Sequence, residues 1–388
     1  MLIDFLRIGI CGEKISDNFK ENLTVENLEN LYKFAKTHDL AHIVADVLYK
    51  NKLMPDCEIA TEYKNSLMVS LLRYQQIAYE LKRICDLLEE YEIPHLPLKG
   101  AVIRQYYPEP WLRTSCDIDI LVKKDDLQRV ADLFVNNLNF SEYEKQDHDW
   151  GFFTEGNLLI ELHYDLMERD HTSNERISHS WDKKYLESVW ERTVLAKNKK
   201  FEYEMTNEMF YYFHIAHMAK HFKIGGCGVR TILDMWLLND RMTYDRSKAE
   251  EMLKDSGLLE FENAVKRLSN VWFLDCKGDE FIDEIGDFIL AAGIYGNFEN
   301  YMAIKINNKG NRFKYIFSRI FVPYEILEKR FPVLKKHKWL LPLCHIARWF
   351  QLGFQGRFKS GFGELKINRD LSDKKVNDIN ELMNILGL

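Results

Sequence analysis

The sequence predicts an α+β protein. A compact unit of short strands and helices, residues 93–180, lies between an N-terminal helical region, 1–92, and a mainly helical C-terminal region, 181–388. Three observations predict it. Apolar residues recur at helical spacing through the first ~90 residues, short alternating runs follow, and helical patterning returns after about residue 181. A chain of 388 residues exceeds the usual size of one domain, so two or three packed units are expected.

In the first region Leu28, Leu31, Phe34 and Ala35 share a helix face, and Thr24 with Asn27 marks its start. Residues 59–90 read as one long helix with Leu71, Ile77, Leu81, Ile84 and Leu88 on its apolar stripe. IPHLPLKG is short, apolar and bounded by prolines: a strand entering a turn at Gly100, with a short helix through Tyr106. Pro108 and Pro110 break the chain, and CDIDILV then alternates as a strand does. Asp125 is placed to cap a helix through Leu138, with Leu127, Val130, Leu133 and Phe134 facing inward. WGFFT and NLLIELH are two further strands, joined as a hairpin across Glu155-Gly156.

The hydrophobic fraction of 46% and charged fraction of 29% are those of a globular protein. Seven scattered cysteines without a CxxC pair fit reduced thiols in the cytoplasm better than a disulfide framework. Asp4 and Arg7 interrupt the apolar start, which argues against a secretory signal. No stretch reaches the roughly 18 apolar residues of a membrane span. Residues 304–369 carry 15 Lys and Arg against three acids, an excess of +12 on a chain of net charge −7. Interleaved with Phe313, Tyr315, Phe317, Trp339, Trp349 and Phe350, this basic stretch reads either as a solvated face or as a surface for a polyanion such as RNA.

The chemistry concentrates in the strands. Alternation puts Cys116, Ile118, Ile120 and Val122 on one face and Asp117 with Asp119 on the other. Two adjacent carboxylates repel unless a cation lies between them, and Mg²⁺ takes hard oxygen ligands of this kind. On the later strand Leu159, Glu161 and His163 share a face, opposite Leu158, Ile160 and Leu162. Were the two strands paired, Glu161 would be a third acid, and three carboxylates can hold two metal ions. A DxD pair alone is also common on exposed strands.

Lys99 and Gly100 end the first strand, where backbone N–H groups can approach a phosphate and Lys99 can meet it as a charge; an ordinary tight turn is the alternative. Arg113, four residues before Asp117, is placed for a phosphate contact or for solvent. His214, His217 and His221 share one helix face. That face suits phosphate or acceptor contacts supported by Arg230 and Asp234, or packing between helices; no complementary ligand spacing supports zinc. HYDLMERD at 163–170 begins like a kinase catalytic loop but lacks its metal-binding asparagine, and no Gly-rich loop or DFG accompanies it.

LPLKG at 96–100, YYPEP at 106–110, Arg113 and DIDILV at 117–122 together resemble the nucleotidyltransferase superfamily that includes DNA polymerase β. More narrowly, the chain is similar to a bacterial branch of uncharacterised nucleotidyltransferases, matched also by Glu161-Leu162-His163, by His217 and His221, by Asp234, and by FVPYEILEKRFPVLKKHKWLLP. The resemblance implies a small mixed sheet flanked by helices, a polymerase β-like core. It implies two-metal transfer of a nucleotidyl group from a nucleoside triphosphate such as ATP to an acceptor hydroxyl, with release of pyrophosphate. Asp117, Asp119 and Glu161 would be the catalytic ligands of Mg²⁺ or Mn²⁺. Lys99, Gly100 and Arg113 would meet the nucleotide, and His163, His217, His221, Arg230 and Asp234 the substrate. The chain departs from the superfamily in having Lys99-Gly100 in place of Gly-Ser, and 16 residues between Gly100 and Asp117. The missing serine leaves open a non-catalytic nucleotide-binding or interaction protein that retains the fold. A sugar, a small molecule, a protein side chain and an RNA end all remain open as acceptor, as do base preference and oligomeric state.

Overall fold

The structure is a computed structural model that describes residues 1–146, 148–166, 182–294, 296–308, 312–354, 369 and 371–388. The expected boundary at 180/181, the end of HYDLMERD, and residues 309–311 and 355–368 of the basic stretch lie outside the described residues.

The N-terminal region is helical: α1 (Leu2–Leu6), α2 (Asp17–Glu21), α3 (Val25–Thr37), α4 (Ala41–Lys50) and α5 (Ile59–Glu90). Thr24 Oγ1 accepts the N–H of Asn27 at 3.2 Å, the cap read from the sequence. Helix α4 buries every residue from Ala41 to Leu48.

The α/β unit follows as β1 (His95–Pro97), α6 (Gly100–Ile103), β2 (Asp117–Val122), α7 (Leu127–Leu138), β3 (Ser141–Lys145), β4 (Asp149–Phe153) and β5 (Leu159–His163). Its sheet has the order β1-β2-β5-β4-β3, with β2 and β5 parallel and the other pairs antiparallel. Two local expectations need correction. Asp125 does not cap α7; it sits inside a 3-10 turn, Lys124–Asp126, that leads into the helix. Cys116 is exposed because it precedes β2 rather than belonging to it. Strand β3 has no counterpart in the sequence reading. All five of its residues are exposed, so no apolar alternation marks it, and its charged side chains suit an edge strand.

A hairpin, β6 (Thr193–Leu195) and β7 (Tyr203–Met205), leads into α8 (Asn207–Lys223), α9 (Val229–Arg241), α10 (Arg246–Asp255), α11 (Leu259–Phe273) and α12 (Glu280–Ala292). Helices α13 (Phe298–Asn308), α14 (Arg312–Ile320), α15 (Tyr324–Arg330), α16 (Leu341–Phe354) and α17 (Asp373–Ile385) complete the described chain. No helix among the described residues is long and apolar enough to cross a membrane. In the basic stretch Phe313, Phe317, Trp339 and Phe350 are exposed, whereas Tyr315 is buried. Trp349 donates its indole N–H to the carbonyl of Ile320 at 3.1 Å.

Two cores meet at the sheet. Ile118, Ile120, Val122, Ile160 and Leu162 pack on Val130 and Phe134 of α7 and on Ile84 and Leu88 of α5. From the opposite face Leu121 joins Leu96 and Leu98 in a larger core shared by α1, α3, α4 and α8 to α12. The N-terminal helices therefore pack with the C-terminal ones, and the face of β2 bearing its carboxylates turns toward them.

Two histidines in this larger core are held neutral. His38 accepts the N–H of Val229 at Nδ1 and meets the carbonyl of Leu290 at Nε2, 3.2 Å; His42 Nε2 lies 3.0 Å from the carbonyl of Leu112. Burial lowers both pKa values below the ordinary 6.5. Depressed in the fold, such groups protonate first in the unfolded chain, so the stability they permit is present above 6.5 and lost as pH falls below it. The share of the unfolding free energy that these histidines carry, measured by urea denaturation at about pH 7.5 and about pH 5.5, should be smaller at the lower pH, by up to roughly 1.4 kcal/mol per pH unit per histidine. The difference should shrink in a His38→Gln variant; an unchanged difference would mean that the imidazole titrates in place.

Candidate active site

Because β2 and β5 run parallel in one register, Asp117 lies beside Leu159, Asp119 beside Glu161, and Leu121 beside His163. Neighbours across paired strands point to the same face, so Asp117, Asp119, Glu161 and His163 come together. Asp119, 4% exposed, is the centre. Its Oδ1 accepts a hydrogen bond from Lys99 Nζ at 2.8 Å and stands 2.8 Å from His163 Nε2. The same Nε2 lies 3.5 Å from Glu161 Oε2. Ligand atoms of Asp119, Glu161 and His163 are all within 4.8 Å of one another, a grouping able to hold a metal ion. Behind it, His148 and Asp149 pair at 2.7 Å, with Asp149 opposite His163 in the sheet.

The charges bias one another. Burial favours the neutral form of Asp119, but the Lys99 ammonium and the His163 hydrogen bond hold its carboxyl well below the usual range. Asp117 goes the other way: burial first, then the negative charges of Asp119 and Glu161, raise it to about 6. Burial opposes charge on His163 too, yet hydrogen bonds to Asp119 and Glu161 raise it to about 9. The pattern is a surplus of carboxylate partly offset by one ammonium and one imidazolium.

Lys99, not Gly100, carries the unusual backbone, with φ 44° and ψ −113°. A non-glycine residue there stores about 1–3 kcal/mol of strain, which clusters at functional sites. Gly100 is buried in contact with the adjoining loop: a Cβ would meet Ser115 Cβ at 3.3 Å. Ser115 in turn accepts from Arg104 at 3.1 Å. Arg104 also donates to the carbonyl of Gly100 at 2.6 Å, and this buried guanidinium near Asp117 had no signal in the sequence.

Arg113 is bound elsewhere. Its Nε lies 2.9 and 3.0 Å from the two oxygens of Asp234, which also accepts from Tyr107 at 2.7 Å. Arg230 meets Asp39 at 2.7 Å and Thr114 at 3.2 Å. Arg113, Arg230 and Asp234 thus join the loop before β2 to helix α9. His217 and His221 meet edge to face with Nε2 atoms 3.2 Å apart. Burial first, then the charges of His221 and Lys99, lower the pKa of His217.

Residues 24–274 match the sequence pattern of a family of uncharacterised nucleotidyltransferases. The chain belongs to that family. Membership implies a nucleoside triphosphate substrate and nucleotidyl transfer, and the fold is α+β, with a five-stranded mixed sheet between helices. No curated protein matches the chain. Among solved structures, the chain is similar to the solution structure of the antibiotic-resistance factor ANT(2'')-Ia at 13% identity and a TM-score of 0.33, over 46% of this chain and 90% of that one. In this nucleotidyltransferase, the sequence had marked the acids and His163 by strand alternation. The Lys99–Asp119 and Tyr107–Asp234 contacts join segments apart in the chain, Arg104 and the adjacent His148–Asp149 pair follow no periodic pattern, and none of them carried a local signal.

Proposed function

We propose that this protein is a metal-dependent nucleotidyltransferase that transfers a nucleoside monophosphate from a nucleoside triphosphate to an acceptor hydroxyl. The observation that carries the reading is the register that sets Asp119 beside Glu161, with Asp117 on the same face. The donor set suits Mg²⁺ or Mn²⁺: carboxylate oxygens in surplus, with the Lys99 ammonium 2.8 Å from Asp119 as a resident cation. Asp117, Asp119 and Glu161 would hold the ions. Bound there, they would favour ionisation of the acceptor hydroxyl and neutralise the departing pyrophosphate. The acceptor oxygen bonds to the α-phosphorus as the bond to the β-phosphate oxygen breaks, with positioning as the protein's main contribution. Lys99, displaced from Asp119, would meet the triphosphate; His163 would orient Asp119 and Glu161; His217 and His221 would contact the acceptor.

Incubation with each nucleoside triphosphate, Mg²⁺ or Mn²⁺ and a panel of acceptors should release pyrophosphate. Release that is equal in an Asp117→Ala/Asp119→Ala variant would sink the proposal. One observation favours a second reading, nucleotide binding without turnover: the Lys99–Asp119 ion pair competes with a metal ion. Calorimetry that detects Mg²⁺-nucleotide binding with no turnover across the panel would select it. For the acceptor, exposed Phe313, Phe317, Trp339 and Phe350 amid basic residues favour RNA. RNA affinity indifferent to salt concentration would exclude that choice.

A further inference from the structure

Away from the carboxylate face, Cys85 near the end of α5, His95 at the start of β1 and Glu202 just before β7 meet at one point. One ligand atom from each lies within 4.8 Å of the other two. His95 is fully buried. Its Nδ1 lies 2.9 Å from the carbonyl oxygen of Ile93, so Nδ1 carries the hydrogen and donates it. Nε2 is then a lone pair without a hydrogen-bond partner, facing Glu202 Oε2 at 3.9 Å. A buried imidazole nitrogen without a hydrogen-bond partner, 3.9 Å from a carboxylate oxygen, is costly unless something bridges the two. An imidazole tied through its other nitrogen to a backbone carbonyl is the arrangement in which histidine ligates a metal.

The surrounding backbone holds this geometry. Glu89 accepts the N–H groups of Lys200, Phe201 and Glu202 at 2.6, 3.0 and 3.1 Å. The N–H of His95 donates to the carbonyl of Phe201 at 2.9 Å. Cys85 and Glu202 also line a cavity of about 490 Å³, from which water can supply a further ligand. Lys199 pairs with Glu202 at 2.9 Å, but its side chain is partly exposed and can turn to solvent when a divalent ion takes the carboxylate.

We propose that Cys85, His95 and Glu202 form a metal site of the zinc class, with a fourth position open to the cavity, that ties α5, β1 and the β6–β7 hairpin together. One thiolate, one imidazole and one carboxylate suit Zn²⁺ in softness and number. The site shares no residue with the carboxylate cluster, so it stands or falls independently of the proposed transfer reaction.

Cobalt distinguishes the two places. Full-length protein stripped with a chelator and titrated with Co²⁺ should develop a sulfur-to-cobalt charge-transfer band saturating at one equivalent. Cobalt on Asp119, Glu161 and His163 has no sulfur ligand and gives no such band. Cys85→Ser should abolish it, and Glu202→Gln should weaken Zn²⁺ binding at least tenfold in competition with a chromophoric chelator. No band in the wild type, or a band that survives in Cys85→Ser, would overturn the proposal. If circular dichroism shows that Cys85→Ser does not fold, X-ray absorption of the zinc-loaded wild type decides. One sulfur at about 2.3 Å with nitrogen and oxygen at about 2.0–2.2 Å supports the site, and a shell of nitrogen and oxygen alone rejects it.

Discussion

An Asp119→Asn exchange is expected to lower nucleotidyl transfer by about a thousandfold or more, the equivalent of roughly 4 kcal/mol of transition-state stabilisation. Asparagine preserves the shape of the side chain and removes only its charge. That charge is where the site converges, since Lys99 and His163 both reach the same oxygen at 2.8 Å and Glu161 stands beside it in the sheet. With the charge gone, a divalent ion loses a central ligand, while Lys99 and His163 keep an amide to contact. Pyrophosphate release at saturating nucleotide, alongside circular dichroism to show that the fold persists, measures the effect. Activity within tenfold of the wild type would mean that Asp119 serves only to seat Lys99 and His163. The exchange should also lower the pKa of His163, now about 9, because a hydrogen bond to a charged oxygen is lost. NMR titration of that imidazole reads this second consequence without any assay of turnover.

Asp234→Ala should destabilise the fold by about 3–5 kcal/mol. Asp234 is 2% exposed and accepts from Arg113 through both oxygens and from the Tyr107 hydroxyl. Removing it strands a guanidinium and a hydroxyl away from water, and the cost of that stranding exceeds the net worth of the pair. A double exchange, Arg113→Met with Asp234→Leu, should recover most of the loss, because the unpaired charge goes too. Urea denaturation of the single and double variants gives both numbers. A single-variant loss below about 1 kcal/mol would mean that solvent reaches Arg113. A KM that rises without loss of stability would return Asp234 to a direct role in substrate binding.

Asp117, Asp119, Glu161 and His163 could be found without coordinates because a strand repeats every two residues. The alternating apolar positions fixed which face each acid would take. Long helices were legible for the same reason: the stripe from Ile77 to Leu88 has the helix period. Edge strand β3 was invisible because five exposed residues have no apolar face to betray them. The helix cap at Asp125 failed because a 3-10 turn intervenes, a choice made over three residues that pattern does not register.

By itself, the sequence determined the α+β class, the strand face that carries the acids, and the residues that resemble a nucleotidyltransferase. The first two are local, set by periodicity along a few consecutive residues, and the last rests on likeness of motifs. Only tertiary structure decided which charges meet. Register between β2 and β5 set Glu161 beside Asp119, a left-handed backbone at Lys99 delivered its ammonium to the same oxygen, and packing of α9 turned Arg113 toward Asp234. Those pairings depend on distances between segments up to 121 residues apart, and Coulomb energy depends on separation in space rather than along the chain.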